Sequence, residues 1–421
     1  MLYIIADDLT GAADTGIQFA KRGLYTILLP FDMEAVCGLR EAQVVALNTD
    51  TRRMPPDRAY EKVKGTTSLL KGQHSIYKKI DSTLRGNVGA EIEAVLDAAG
   101  IGFAILAPAF PACGRTTVDG VHLVNGQPLS RTEVASDPVN PVNESHIPTL
   151  ISGQTRLKIG QIDLKRLRRG QISLRRTISQ RADSGERIII FDAATDDDLS
   201  EIADAAMSIS PPPLMVGSAG LADQLSIILS RREHTQHPTI TRKTRDDGVI
   251  IVVSGSLSAV TSKQLDTIGK AGKGKIIPVD AGKFIEARTP DLERKIVSEV
   301  ISAMSATGVA GIRSAGTYHT APEYAHEDDL PRLIVDCLGR LVAQIVRRSP
   351  QPVRGLILTG GDMALSAFRH LGISSVRLVD EILPGIPYGQ VIEGEFSGLK
   401  MVTKAGAFGD ESALVKCIDF L

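Results

Sequence analysis

The chain has 421 residues, of which 43% are hydrophobic and 23% charged, and its formal net charge is −1 at pH 7. These values are typical of a soluble globular protein with about two or three domains, and the balanced charge argues against a nucleic-acid or membrane-surface role. The four cysteines form no C-x-x-C pair, which fits neither a disulfide scaffold nor a zinc site. Neither a signal peptide nor an apolar run of 18 residues is visible, so the sequence predicts a cytoplasmic protein.

The first apolar run, Leu2–Ala6, is typical of a buried strand. Asp7 and Asp8 follow it, and a helical pattern then covers residues 12–22, with Thr10 as its predicted N-cap. In open α/β sheets, ligands bind beyond the carboxyl ends of the strands. The two carboxylates are therefore candidates to accept hydrogen bonds from ligand hydroxyls or to bind a hard cation. The alternative is that they are solvated loop residues that favour the helix N-terminus.

Further strand-like runs alternate with helical patterns through the first half of the chain, at residues 25–29, 43–47, 75–79, 103–107, 187–191 and 214–216. This alternation predicts a mainly parallel sheet with helices on its faces. Polar clusters follow four of these strands, at residues 48–52, 78–87, 108–117 and 217–220. One such cluster is usually a solvated loop, but several after successive strands favour a binding site.

The residue types in these clusters suit a small polyhydroxylated anion. Arg52, Lys79 or Arg85 could pair with a carboxylate, and arginine can do so in bidentate fashion. Asp8 and Asp81 could accept hydrogen bonds from hydroxyl groups.

The second half of the chain repeats the α/β pattern after a segment without apolar periodicity. Residues 233–248 are the predicted linker, which divides the chain into domains at 1–232 and 249–421. Strands are predicted at residues 249–253, 275–279, 355–358 and 399–403, and helices at 330–347 and 363–370.

Three glycine-rich turns follow strands of this second domain: S-G-S at 254–256, T-G-G-D at 359–362 and K-A-G-A-F-G at 404–409. Glycine lets backbone N–H groups approach an oxyanion closely, so the three turns together indicate a phosphate cradle, although each alone is weak evidence. Neither the P-loop nor the dinucleotide fingerprint is present. Asp362 could hold Mg²⁺ or accept a hydroxyl proton during phosphoryl transfer, or it could simply cap its helix.

These motifs resemble the four-carbon acid sugar kinase family. The matching segments are I-A-D-D-L-T-G-A-A-D at 5–14, N-T-D-T-R at 48–52, K-K-I-D-S-T-L-R-G-N at 78–87, P-A-F-P-x-x-G-R-T-T at 108–117, V-G-S-A-G-L-A at 216–222 and the three glycine turns. The resemblance covers nearly the whole chain. It implies an α/β fold with a sugar-acid-binding N-terminal domain and a nucleotide-binding C-terminal domain.

The resemblance also implies an activity, namely ATP-dependent phosphorylation of the terminal hydroxyl of a four-carbon sugar acid, with ATP and Mg²⁺ as cofactors. By resemblance the sugar acid would contact Asp8, Arg52, Lys79, Ile80, Asp81 and Ser82, and Arg85 is a further candidate from its residue type. By resemblance ATP would contact Ser254, Gly360, Gly361, Asp362, Met363, Gly406, Ala407, Phe408 and Gly409. Gly255, Ser256 and Lys404 of the same turns are further candidates to contact ATP. Asp362 is the first candidate for the catalytic base and Asp8 the second.

Two positions depart from the family pattern. The last turn commonly reads K-S-G-G-F-G, whereas this chain has Ala405 and Ala407, and T-G-G-D-T becomes T-G-G-D-M at Met363. Backbone contacts are therefore expected to matter more than side-chain contacts at both places.

The substrate stays open among close relatives. The first motif and the chain length look most like D-threonate kinases, while D-erythronate, L-threonate and 3-oxo-tetronate differ from D-threonate only in stereochemistry or oxidation state. The competing hypotheses are a non-catalytic sugar-acid sensor, an oxidoreductase and a metal-dependent lyase. The expected partners are the sugar acid and ATP, without nucleic acid or membrane, and a homodimer is considered without a decision on oligomeric state.

Overall fold

The computed structural model describes residues 1–31, 41–70, 75–137, 140–232, 247–256, 258–280, 290–315, 330–406 and 408–421. The chain divides into two compact units, Met1–His237 and Pro238–Leu421. Of the predicted linker, residues 233–246 lie outside the described residues, so the predicted domain boundaries stay predictions. Among the described residues, no helix combines the length and the apolar character needed to cross a membrane.

The first unit contains eleven strands and eight α-helices within the described residues. The strands are β1 (Leu2–Ala6), β2 (Thr26–Leu29), β3 (Val44–Asn48), β4 (Ser75–Lys79), β5 (Ala104–Ala107), β6 (Arg115–Val118), β7 (Val121–Val124), β8 (Gln127–Pro128), β9 (Ile159–Ile162), β10 (Ile188–Phe191) and β11 (Leu214–Gly217). The helices are α1 (Leu9–Ala20), α2 (Pro56–Leu69), α3 (Val88–Ala99), α4 (Ile147–Ser152), α5 (Leu164–Leu167), α6 (Gln171–Asp183), α7 (Asp196–Met207) and α8 (Ala219–Arg232).

Eight strands of this unit form a sheet in the order β2-β3-β1-β4-β11-β5-β10-β9, with every pairing parallel. Their apolar runs are buried on both faces, as parallel strands covered by helices require. The chain moves from β1 toward β2 and β3 on one side and returns at β4 on the other. This reversal beside β1 is the topological switch point where ligands bind in open α/β sheets.

The second unit contains seven strands and five helices within the described residues. The strands are β12 (Val249–Ser254), β13 (Lys275–Asp280), β14 (Val309–Ala315), β15 (Val353–Thr359), β16 (Val376–Leu383), β17 (Ile386–Val391) and β18 (Lys400–Lys404). The helices are α9 (Ala259–Lys270), α10 (Pro290–Thr307), α11 (Leu330–Arg348), α12 (Gly361–Leu371) and α13 (Ala413–Phe420).

These strands run in the order β13-β14-β12-β15-β18-β17-β16. The first five pair in parallel, whereas β17 is antiparallel to both of its neighbours. The switch point lies beside β12, between β14 and β15. A core of aliphatic side chains from α9, α13 and the central strands covers one face, and Ile250, Val252 and Leu414 in it are fully buried.

The predicted fold class, two α/β units with mainly parallel sheets, is confirmed. Four features were not predicted from the sequence: strand β9, strand β14, the antiparallel strands β16 and β17, and a small antiparallel sheet of β6, β7 and β8. Helix α1 begins at Leu9 rather than at residue 12, and its N-cap is Asp8 rather than Thr10, because the Asp8 carboxylate accepts a hydrogen bond from the Gly11 N–H.

Candidate functional site

The register of the first sheet brings the predicted sugar-acid residues together. Ala6, the last residue of β1, is paired with Asn48 of β3 and with Lys79 of β4. The residues that follow these three positions therefore emerge at one carboxyl edge, beside the switch point. Asp7 and Asp8 thus lie next to the segment that begins at Lys79.

Arg52 ties the two aspartates together. Its Nε lies 2.7 Å from Asp7 Oδ2, and its Nη2 lies 2.9 Å from Asp7 Oδ1 and 2.6 Å from Asp8 Oδ1. Burial opposes ionisation of Asp7, but the charge and hydrogen bonds of Arg52 hold the pKa of this carboxyl below its ordinary value. The remaining nitrogen of Arg52, Nη1, makes no hydrogen bond to the described residues, so it alone is available for a ligand.

Asp8 accepts hydrogen bonds from three donors. Besides Arg52, these are the Gly11 N–H at 3.0 Å and the Thr10 hydroxyl at 2.5 Å. Thr10, predicted as the N-cap, therefore supports the residue that does cap the helix. The Asp8 carboxylate is anchored to helix α1 and to Arg52 at once.

Of the cationic side chains at this edge, Lys79 has the weakest interactions with protein groups. Its side chain is 3% exposed, and its Nζ lies 3.7 Å from the nearest carboxylate oxygen, on Asp14. That separation is too long for a hydrogen bond. Burial raises the pKa of Asp14 to about 6, against the opposing charge of Lys79.

Arg85 is occupied by protein carboxylates. Its Nε lies 2.7 Å from Asp81 Oδ2, its Nη2 lies 3.3 Å from Asp81 Oδ1, and its Nη1 lies 3.2 Å from Asp137 Oδ2. Burial opposes ionisation of Asp81, but Arg85 and Arg52 hold the pKa of this carboxyl well below its ordinary value. Arg85 thus fixes Asp81, which also accepts a hydrogen bond from Thr83.

A second layer supports these groups from below. Lys78 is fully buried and pairs with Glu91 of α3 at 2.7 Å, and its Nζ also donates to the carbonyls of Ile5 and Lys79. Lys78 therefore connects the ends of β1 and β4 by hydrogen bonds beneath the site.

The loop that carries Ile80, Asp81 and Ser82 is held by a buried histidine. His122 Nε2 lies 2.7 Å from the Ser82 carbonyl oxygen, so it donates, and Nδ1 accepts from Thr117 Oγ1 at 3.1 Å. Burial lowers the pKa of His122 to about 4, so the ring is neutral at physiological pH. Ile80 itself is 2% exposed and packs as a core residue.

Gly86 closes the loop against the aspartates. Its φ is +93°, and an added Cβ would lie 3.2 Å from Asp7 Oδ2 and 3.3 Å from Arg52 Cγ. Glycine is required here both for its backbone conformation and for the close approach.

In the second unit, register aligns the three glycine turns. Ser254 is paired with Thr359, and Thr359 with Lys404, at the carboxyl ends of β12, β15 and β18. The Gly360 N–H donates to the Lys404 carbonyl at 2.8 Å, and the Gly255 N–H donates to the Thr359 carbonyl at 3.4 Å. The three turns therefore meet beside the switch point of this sheet.

Close contacts between the turns leave little room for side chains. A Cβ on Gly406 would lie only 2.6 Å from Ser256 Oγ, whereas one on Gly255 would lie at the ordinary contact distance of 3.4 Å from Met363 Cβ. Gly360 has a φ of +98° and precedes the first turn of α12. Gly361 opens that helix, and Asp362 in its first turn is exposed.

The side chains of Lys404 and Phe408 in the last turn lie against protein groups. Lys404 is 0% exposed, and its ammonium group points into the turn. The Phe408 ring packs against Gly385. Ala407, the third residue of interest here, lies outside the described residues.

Among the described residues, no group of three or more His, Cys, Asp and Glu side chains is arranged to hold a metal ion. A single exposed carboxylate suits Mg²⁺ that arrives bound to nucleotide phosphates, because such Mg²⁺ takes only one or two protein carboxylates. Asp362 is the exposed carboxylate at the meeting point of the turns.

Sequence reasoning missed several residues that shape the two sites. They are Asp14, Lys78, Glu91, His122, Asp137, Thr261 and Gln264. Asp14 and Lys78 lie inside quoted motifs but receive no role from the sequence, and most of the others lie only a few residues beyond a motif. Their roles depend on contacts with other segments, which the sequence does not show.

The comparisons with known proteins agree with this arrangement. Residues 2–225 match the family model described as a sugar-binding N-terminal domain, and residues 251–414 match a nucleotide-binding C-terminal domain. The chain is 33% identical to a D-threonate kinase of Salmonella typhimurium, covering 100% of this chain and 98% of the relative. It is 30% identical to a D-erythronate kinase of Heliobacterium modesticaldum, covering 100% and 97%.

The fold itself recurs in a solved structure. A crystal structure of a Salmonella typhimurium LT2 protein superposes with a TM-score of 0.81 at 24% identity, covering 99% of this chain and 98% of that one. Because both family models and full-length kinases match, the chain is a phosphotransferase with an alcohol group as acceptor, and it belongs to the four-carbon acid sugar kinase family.

Proposed function

We propose that the protein phosphorylates the 4-hydroxyl of D-threonate with ATP, giving 4-phospho-D-threonate. The names of the relatives support a four-carbon acid, and the greater identity to a D-threonate kinase favours that epimer. D-erythronate and 3-oxo-tetronate are the alternative acids. A homodimer and a cytoplasmic location remain predictions.

The main support for sugar-acid binding by the first unit is the environment of the Lys79 ammonium group. It is buried at the carboxyl edge of the sheet and 3.7 Å from Asp14, and it makes no hydrogen bond to the described residues. A buried cation without hydrogen-bond partners is costly, so a substrate carboxylate would satisfy it. Nη1 of Arg52 would supply a second donor, and Asp8 and Asp81 would accept from the substrate hydroxyls.

In this proposal the second unit binds ATP through the three glycine turns. Backbone N–H groups of these turns and the N-terminus of α12 favour phosphate oxygens. Mg²⁺ bound with ATP supplies charge neutralisation at the β- and γ-phosphates. An aspartate would take the proton of the 4-hydroxyl during in-line transfer, with Asp362 preferred over Asp8 because the oxygens of Asp8 already accept three hydrogen bonds.

The first test is ADP release with Mg·ATP across D-threonate, D-erythronate, L-threonate and 3-oxo acids. Turnover with D-threonate above its epimers supports the proposal. If no acid released ADP while several still raised the melting temperature, the protein would be a sensor and not a kinase.

A second test isolates the role of Lys79. Wild type and Lys79→Met are compared on D-threonate and on threitol, which keeps the three hydroxyls of the acid and has a fourth hydroxyl in place of its carboxylate. We expect Lys79→Met to raise KM for the acid about 100-fold, because truncating one partner of a buried charge pair costs about 2–5 kcal/mol. The KM for threitol should not change. Lys21→Met is the matched control, since Lys21 pairs at the surface with Asp223. An unchanged preference for acid over polyol in Lys79→Met would exclude this role.

A further inference from the structure

The side chain of Lys404 faces inward. At the end of β18 it is 0% exposed. Its Nζ lies 2.9 Å from the Ala405 carbonyl oxygen, 3.0 Å from that of Phe408 and 3.3 Å from that of Gly406. The ammonium therefore sits inside its own turn, within reach of carbonyl oxygens, rather than toward a ligand.

Two side chains of α9 hold the same turn. Thr261 Oγ1 donates to the Gly406 carbonyl at 2.8 Å. Gln264 Nε2 donates to the carbonyls of Phe408, Gly409 and Asp410, at 3.1, 3.1 and 2.8 Å. Together, three buried side chains bind the carbonyl groups of residues 405, 406, 408, 409 and 410 from one side.

This arrangement determines the direction of the neighbouring N–H groups. In a planar trans peptide the N–H points opposite to the C=O. Because the carbonyls of Ala405, Phe408 and Gly409 point inward, the N–H groups of Gly406, Gly409 and Asp410 point outward. Successive N–H groups directed to one side form an anion-binding concavity.

We propose that Lys404 is a positioning residue of the nucleotide site, whose ammonium acts as an internal cation that holds the turn with its N–H groups directed at the phosphates. It would not touch the nucleotide. The inference rests on the proposed function, because it assumes that this turn binds ATP.

The groups around Lys404 give the inference a pH signature. Burial lowers the pKa of Lys404 to about 8. Thr261 and Gln264 of α9 carry no charge, burial raises the pKa of the Cys417 thiol of α13 to about 12, and Asp410 pairs with Lys416 at 2.9 Å. Loss of the Lys404 proton above pH 8 would therefore loosen the turn, and nucleotide binding would require the proton to be taken up again.

The stability of the fold should respond in the opposite sense. A buried lysine whose pKa is lowered binds fewer protons in the folded state than in the unfolded state, so its contribution to stability improves as pH rises above about 8. Weaker nucleotide binding without a loss of thermal stability would thus distinguish positioning from a general structural effect.

The experiment is calorimetric titration of the full-length protein with Mg·ADP at about pH 7.5 and about pH 9, in two buffers of different ionisation enthalpy. The nucleotide phosphates are already ionised over this range, since their second pKa is about 6. For wild type we expect Kd to rise up to about tenfold between the two values, with uptake of up to about one proton at the higher pH. For Lys404→Met we expect binding about tenfold weaker at the lower pH, with no proton uptake.

Lys400→Met is the matched control. Lys400 lies on the same strand, is also buried, and donates to the Leu421 carbonyl at 2.9 Å, away from the turn. It should retain the wild-type pH dependence. If Lys404→Met does not fold, Gln264→Leu tests the turn from α9, and the wild-type titration stands without any variant.

The outcomes separate the two proposals. A wild-type Kd that changes less than about twofold between the two pH values, or no binding of Mg·ADP at all, overturns the role of Lys404. If wild type binds Mg·ADP with the expected proton uptake but releases no ADP with any sugar acid, the kinase proposal falls and the role of Lys404 stands. Turnover of a sugar acid with pH-independent nucleotide binding supports the kinase proposal and excludes the role of Lys404.

Discussion

Arg52 binds the Asp7 carboxylate with two nitrogens, Nε at 2.7 Å and Nη2 at 2.9 Å, and the two side chains are 15% and 5% exposed. The pair joins the end of β1 to the loop after β3, two segments more than 40 residues apart. Arg52 is therefore as much a part of the fold as of the candidate sugar-acid site.

Removal of this arginine should cost stability in a way that depends on pH. Arg52→Met would leave the buried Asp7 charge unpaired, and we expect a loss of about 3–5 kcal/mol in the free energy of unfolding at neutral pH. In wild type the pKa of Asp7 is lowered, so the stability from the pair is present above pH 4 and is lost as pH falls through the folded pKa. In the variant, a fall in pH should instead reduce the loss of stability, because protonation neutralises the unpaired Asp7 carboxylate.

Urea unfolding at neutral and mildly acid pH measures this effect. Arg22→Met serves as the control, because Arg22 forms a surface pair with Asp223 at 3.4 Å and should cost less than about 1 kcal/mol. Equal losses in the two variants would mean that the Arg52 pair is no stronger than a surface pair.

Asp14 and His122 should move the pH dependence of stability in opposite directions. The pKa of Asp14 is raised to about 6, so the folded state binds more protons and this group stabilises as pH falls from 6 toward 4. The pKa of His122 is lowered to about 4, so its contribution is lost as pH falls from about 6.5 toward 4.

On acidification from pH 7 to pH 5, Asp14→Asn should therefore lose more stability than wild type, and His122→Asn should lose less. Unfolding midpoints in urea at the two pH values test both. If the stability of both variants changed between pH 7 and pH 5 by the same amount as that of wild type, neither group would have the shifted pKa assigned to it.

Two Gly→Ala substitutions in helices should have opposite effects. On α1, a Cβ at Gly11 would overlap Asp8 Oδ1 and lie 2.8 Å from Lys79 Nζ, so Gly11→Ala should lower the melting temperature and raise KM for the sugar acid. On α2, Gly65 has no atom within 4 Å of the added Cβ. Gly65→Ala should stabilise by up to about 1 kcal/mol without changing the kinetics. Similar kinetics for both variants would show that Asp8 and Lys79 tolerate displacement.

The choice of catalytic base can be decided by steady-state kinetics. We expect Asp362→Asn to lower kcat by about 10²–10⁴, the range typical of a lost general base. Asp8→Asn should mainly raise KM for the sugar acid, because it weakens the contact with Arg52 at 2.6 Å. If neither variant lowered kcat by at least about tenfold, neither aspartate would be the base.

Much of the site was predictable from local patterns. Apolar runs followed by Asp7, Lys79, Ser254 or Thr359 identify strand ends, and parallel strands bring such ends to one edge. The sequence could not identify Asp8 as the N-cap, because Asp8 and Thr10 are both good capping residues and only the backbone conformation distinguishes them.

The sequence by itself determined the α/β class, the motifs and the edge on which they lie, because these follow from short-range periodicity and from parallel pairing. Only the tertiary structure decided what each charge does. Arg85 and Lys404 are predicted as ligand contacts from the sequence, and only the structure shows their protein partners, which are Asp81 and Asp137 for Arg85 and the carbonyls of its own turn for Lys404. A charge has no assigned partner until distant segments pack, since Coulomb energy and desolvation depend on separation and burial rather than on order along the chain.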